Sequence, residues 1–349
     1  MKIRMQYLDV CKGIGIILVV LGHIFLTNPI RTWIYSFHMP FFFFLSGYTL
    51  YLSKTTDYKE FVLRRLKSLI IPYFIFAFIW YIYWLVIERK FRPESLDING
   101  FKPLLGILYG TGSDTWLVFN IVLWFLPCFF LTEIFFQWLS QSIKKSRNLF
   151  IVLLVSSVVG YLISLFLGFR LPWGINIVFT SVVFYGLGYL FHKSNLNNKL
   201  TSTHEYIFII LLLIINVIAA FINKPVDMNF LILGNYFLYY IAGISGSLFL
   251  YLVSKKIKSG NWLTFLGKNT LIIMCIHDPI KRIVVKIVSA VSHIPADTLR
   301  QSTWGSMICL IVLMLILVPA IHIINKYMPF LLGKKYTIVK EPKVSKVNV

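Results

Sequence analysis

LDVCKGIGIILVVLGHIFLTNPIRTWIYSFHMPFFFFLSGY, residues 8–48, is the stretch whose reading decides the fold. Two intensely apolar segments flank the short link TNPIR. A helix needs about 20 apolar residues to cross the hydrocarbon core of a bilayer, and these segments approach that length. Yet they carry Asp9, Lys12, His23, His38 and Ser46. Backbone and side-chain polar groups must find partners inside lipid, so ionisable residues within a span are read first as a functional site.

The rest of the chain agrees with a membrane reading. It has 349 residues, of which 58% are hydrophobic and only 13% charged, with mean hydropathy +0.78. Soluble domains carry about 25% charged residues. Long apolar runs recur throughout, which predicts an all-α polytopic bundle of about ten transmembrane helices. The expected spans are 9–26, 33–52, 68–87, 116–138, 149–167, 174–191, 205–222, 230–253, 262–277 and 304–325. The ninth is short, and the following DPIKRIVVKIVSAV has apolar positions at helical spacing, which predicts a separate helix on the membrane surface or across the bundle. No alternating strand pattern suggests a barrel. The first run is not a cleavable signal, because Asp9 and Lys12 stand at its start and no small-residue cleavage site follows.

The net charge of +21 is read as cytoplasmic Lys and Arg and not as nucleic-acid binding. With the N-terminus inside, inner segments hold 21 Lys and Arg, outer loops 11, and Lys12 and Lys268 lie within spans. Both termini are therefore expected in the cytoplasm. Cys11, Cys128, Cys275 and Cys309 fall in or beside apolar runs without CxxC spacing, as small buried hydrophobes do. The membrane domain is expected over 1–335 and a basic, disordered cytoplasmic tail over 336–349. The outer loop 88–115, Gly-rich at its end, reads as a lid or an acceptor-contacting loop. No soluble domain is expected at either end.

Ten residues separate Lys12 from His23. On a helix that is about three turns and roughly 16 Å, returning to nearly the same face. Gly13, Gly15 and Gly22 flank the stripe and admit a close neighbour. Two readings stay open here: a reactive stripe, or a snorkelling Lys12 and a hydrogen-bonded packing His23. Asp9, one turn before Lys12, is placed to pair with it. His38 precedes Met39-Pro40, where the proline makes the helix irregular or cavity-lined. Ser46 offers a hydroxyl beside Gly47. A neutral imidazole in a partly dehydrated cavity suits general-base work on a hydroxyl. A metal centre is not expected, since His, Cys and acids are not clustered. GxSxG, P-loop and dinucleotide fingerprints are absent. Arg64, Arg65 and Lys67 form a cationic cluster that reads either as a phosphate site or as a positive-inside anchor. Trp124, in LWFLP, is either core or a stacking surface for a sugar. Asn269 and His277 lie eight residues apart, roughly 12 Å and within about 80° on one helix, so they are expected to face one cavity.

LDVCKGIGIILVVLGH followed by YSFHMPFFFFLSGY resembles the acyltransferase-3 family, especially its fucose 4-O-acetylase-like branch. The resemblance rests on Lys12 and His23, on Phe37 to Pro40, and on Phe43 to Gly47. RRLKSLIIPY (Arg64 to Tyr73), LWFL (Leu123 to Leu126) and LGKNTL with the later His277 are also similar to family features. The resemblance implies a multi-pass enzyme of a bacterial inner or cytoplasmic membrane. Its donor would be cytoplasmic acyl-CoA, usually acetyl-CoA, and its acceptor a sugar hydroxyl of a surface glycan or of a lipid-linked precursor. By the same resemblance His23 is catalytic, Lys12 helps bind the donor or acyl group, and Arg64, Arg65 and Lys67 contact coenzyme A. Some members carry a fused extracytoplasmic domain; without one, this chain would act unaided or with a separate extracytoplasmic or glycan-assembly partner. The alternative is a polysaccharide or lipid-linked-sugar exporter that uses the bundle without catalysis.

Overall fold

The computed structural model describes residues 5–52, 57–194, 202–257 and 260–334, and the tail expected over 336–349 lies outside them. Among these residues the fold is all-α, with one isolated antiparallel bridge between Asp227 and Ile232. Eight helical segments among them are long and apolar enough to cross a membrane. The first is α1 (Gln6–Ile24). α4 (Tyr58–Arg65) runs through a π-helical turn at Leu66–Ile70 into α5 (Ile71–Val86) as one 29-residue segment. α7 (Phe125–Ser142), α8 (Ser146–Phe166), α9 (Ile175–Lys193), α10 (Ser202–Ile222), α11 (Tyr236–Lys256) and α15 (Thr303–Tyr327) belong to the other six.

Two of the ten expected spans are broken. The span expected at 33–52 is split into α2 (Pro29–Tyr35) and α3 (His38–Tyr51), because Phe37 takes φ −143° and ψ −15°. Asn28 caps α2, its Oδ1 accepting from the Ile30 N–H at 2.8 Å. The span expected at 262–277 is split at Asn269 (φ −116°, ψ 18°) into α12 (Asn261–Lys268) and α13 (Thr270–Ser292). α13 also does not end at His277 as expected; it continues past Pro279 for about three and a half further turns. A mid-helix proline frees the carbonyl four residues earlier. That carbonyl is Cys275's, and it accepts instead from Trp80 Nε1 and Asn120 Nδ2, both at 2.8 Å, so bonds from other elements hold the helix through the proline. The loop expected at 88–115 contains α6 (Phe101–Tyr109).

Burial separates a central group of helices from a lipid-facing one. The apolar windows of α1, α7 and α9 are each 67% buried, against 22% for α10. The exposed faces of α8, α10 and α15 are apolar, as lipid contact requires. Two antiparallel crossings hold the centre, both built on glycine. Gly13 packs on the Leu263 carbonyl and Gly267 on that of Asp9, joining α1 to α12. Gly47 packs on the Tyr185 carbonyl and Gly188 on that of Phe44, joining α3 to α9. At each of the four positions a β-carbon would overlap the facing backbone. The four cysteines are free and buried. α14 (Ala296–Gln301) lies in the connection between α13 and α15.

Candidate active site

His23 ends α1 beside the α2–α3 break and the middle of α13. Its Nδ1 lies 3.2 Å from His277 Nε2, and the two rings stack at 5.3 Å and 22°. The protons in this pair follow from the outer contact. His277 Nδ1 lies 2.8 Å from the Ile273 carbonyl oxygen. A carbonyl only accepts, so Nδ1 carries the hydrogen and, in the neutral ring, Nε2 carries the lone pair. His23 Nδ1–H then donates to that lone pair, and His23 Nε2 is left bare. His38 is set the same way: its Nδ1 donates to the Ile34 carbonyl at 2.9 Å, freeing Nε2. Its ring stands edge-on to His23 at 6.3 Å.

His23 and His38 line a chamber of about 220 Å³. Trp124, Arg31, Tyr35 and Asp227 share its wall. Lys12 and Ser46 line a different chamber, also about 220 Å³, with Arg65 and Glu133. Lys12 and Ser46 thus open onto one chamber, and His23 and His38 onto another. Met39 and Met274 border both. The Lys12 chamber is otherwise mostly apolar, with Phe42, Phe125 and Phe129 among its walls.

The other sequence-derived residues divide. Arg65 enters the Lys12 chamber, where its Nη2 pairs with Glu133 Oε1 at 2.9 Å. Tyr185 donates to the same oxygen at 3.4 Å. Arg64 and Lys67 are exposed on the outside of that segment, around the start of the π turn. Asp9 is buried and lines neither chamber; its backbone carbonyl meets Gly267. Asn269, expected to face one cavity with His277, is the helix break itself, and neither residue lines the chambers described above. Its Nδ2 donates to the Phe265 carbonyl at 2.8 Å, and its Oδ1 accepts from Asn325 at 2.7 Å. Trp124 faces His23's chamber, and the Arg170 guanidinium lies 5.9 Å from its ring centroid.

Sequence reasoning missed the charged residues that follow His277. Asp278, Lys281 and Arg300 all line the His23 chamber. Lys281 Nζ contacts Asp278 Oδ1 at 2.6 Å, and Arg300 Nε donates to the carbonyl of Ile24, next to His23, at 3.0 Å. The signal in the sequence is a run of ions directly after an apolar segment, within the stretch read above as a separate helix on the membrane surface or across the bundle. Asp227, from the loop after α10, was also missed. Burial pushes its carboxyl above the usual range, against the pull of backbone donors at Phe230 and Asn229.

A paired imidazole at a buried chamber, adjoining a second chamber across two methionines, is an arrangement that can accept and return a proton inside a membrane bundle. A family model described as an acyltransferase domain matches residues 5–323. The chain belongs to the acyltransferase-3 family and is a multi-pass membrane acyltransferase. Comparison with curated proteins and with solved structures finds no match.

Proposed function

We propose that this protein is an O-acyltransferase, with acetyl the natural group, that takes its acyl unit from cytoplasmic acyl-CoA and passes it to a hydroxyl of a surface glycan or its lipid-linked precursor. The reading is supported most by the bare Nε2 of His23 in a chamber adjoining that of Lys12. The termini face the cytoplasm, and coenzyme A docks at Arg64, Arg65 and Lys67 with its pantetheine arm in the Lys12 chamber. The thioester reaches His23 between Met39 and Met274, whose unbranched side chains repack easily.

His23 Nε2 takes the proton of the acceptor hydroxyl as that oxygen attacks the thioester carbonyl. The tetrahedral intermediate then expels the sulfur: the carbon–sulfur bond breaks, the ester remains, and the imidazolium returns the proton to the thiolate. His277 accepts the His23 Nδ1–H throughout and favours the imidazolium as it forms, the role an orienting partner plays for any catalytic histidine. Trp124 supplies a face on which a sugar ring stacks.

The exporter alternative has no support from the family or the geometry. The test compares surface glycans by NMR from cells lacking the gene and complemented with wild type or His23→Ala. O-acyl signals are expected with the first and not the second; equal signals would overturn the reading.

A further inference from the structure

A larger cavity, about 670 Å³, lies against α13, α14 and the turns after α5, and it is not part of either chamber described above. It borders the His23 chamber, since Ile121, Asp278, Lys281 and Arg300 line both. Its walls carry five cations, Arg92, Lys281, Arg282, Lys286 and Arg300, against Glu88, Glu94 and Asp278, a surplus of two positive charges.

The charges are not evenly matched. Arg282 is consumed by structure: its Nε meets Glu88 Oε1 at 2.6 Å, Nη1 pairs with Asp278, and Nη2 reaches the Phe119 carbonyl. Arg92 pairs with Glu94 at 2.9 Å, and Lys281 with Asp278. Lys286 and Arg300 have no ion pair among the described residues. Lys286 Nζ contacts the Phe91 carbonyl at 2.7 Å, and Arg300 uses only Nε, on Ile24. Two cations without an ion-pair partner among the described residues thus face a cavity that borders the chamber of His23, with Glu94 acting on Lys286, and Asp297 and Asp278 on Arg300, only from beyond ion-pair distance. The rim is apolar and exposed, at Phe91, Ile283 and Ile287.

We infer that this cavity binds a phosphate group of the acceptor, held by Lys286 and Arg300 while the sugar hydroxyl reaches His23. A phosphate monoester or diphosphate brings about two negative charges, which matches the surplus, and guanidinium groups grip such oxygens in pairs. The inference rests on the acyltransferase reading for its second half, since the hydroxyl matters only if His23 is the base. The apolar rim fits a phosphate carried on a lipid; a phosphate within a soluble glycan would use the same cations.

The probe is inorganic diphosphate, titrated calorimetrically against the full chain in zwitterionic-lipid nanodiscs, with coenzyme A saturating so that the cytoplasmic cations are occupied. Wild type is expected to bind, Lys286→Gln/Arg300→Gln to bind about tenfold more weakly, and Lys286→Arg/Arg300→Lys to bind within about threefold of wild type. Retained coenzyme A binding by both double variants shows that they fold. A short prenyl diphosphate binding more tightly than diphosphate identifies a lipid-linked acceptor, and equal affinity a soluble one. No binding to wild type, or equal binding to the Gln variant, overturns the inference. His23→Ala should bind diphosphate like wild type. If it does so while glycan acylation proves independent of His23, the catalytic reading falls and the phosphate site stands.

Discussion

His23 Nδ1 lies 3.2 Å from His277 Nε2, and His277 is itself tied to the Ile273 carbonyl. The chain carbonyl–His277–His23 leaves a single nitrogen free to act as base. His277→Ala removes the acceptor, so the His23 ring loses both its orientation and its tautomer. The expected result is a fall in kcat of about a hundredfold with KM for acyl-CoA unchanged, measured on purified enzyme. His277→Gln, whose amide oxygen still accepts, should recover part of it. His23→Ala/His277→Ala should be no slower than His23→Ala alone, because the two act as a unit.

Met39 and Met274 stand between the Lys12 and His23 chambers. A larger, stiffer group there should block the acyl group while leaving coenzyme A seated. Met274→Trp is expected to cut kcat by about tenfold or more without a matching loss of coenzyme A affinity, since a small displacement of the reacting atoms is enough. Titration of coenzyme A beside single-turnover kinetics checks this; a parallel loss of both would place the methionines in donor binding instead.

Arg65 and Glu133 pair at 2.9 Å, with Glu133 buried in α7. Arg65→Gln leaves a buried carboxylate uncompensated and should destabilise by about 3 kcal/mol. Arg65→Gln/Glu133→Gln should regain most of that stability in thermal unfolding. If Arg65 also holds the donor, the double variant will keep a raised KM for acyl-CoA. A normal KM would confine Arg65 to structure.

Gly47 and Gly267 each face a carbonyl on the partner helix with no room for a β-carbon. Gly47→Ala must push α3 away from α9, and Gly267→Ala must push α12 away from α1. Each is expected to cost about 1–3 kcal/mol, the range for overpacking a close-packed core. Gly168, with open space around it, is the control: Gly168→Ala should leave the unfolding midpoint nearly unchanged.

Much of the helical layout was legible because lipid leaves few choices. A run such as LFIVLLVSSVVGYLISLF, residues 149–166 of α8, must be helical, and Glu133 within an apolar run had to find a cation. The breaks were harder to read. Asn269 looks like any polar residue in a span, and only its bonds to Phe265 and Asn325 make it a terminus. Pro279 looked like an end, yet Trp80 and Asn120 reach across to the Cys275 carbonyl and the helix runs on.

By itself the sequence determined the membrane class of the molecule and its helical backbone, which follow from local composition and spacing, and it singled out Lys12 and His23 as candidates through the family resemblance. Only the tertiary structure decided which partner each polar group meets. His277 is 254 residues from His23, and Ser46 went to one chamber while His38 went to the other. Helix periodicity specifies a face but not the neighbour opposite it. That choice was made by packing, through glycine crossings that bring α1 onto α12 and α3 onto α9 and so set the two chambers on either side of Met39 and Met274.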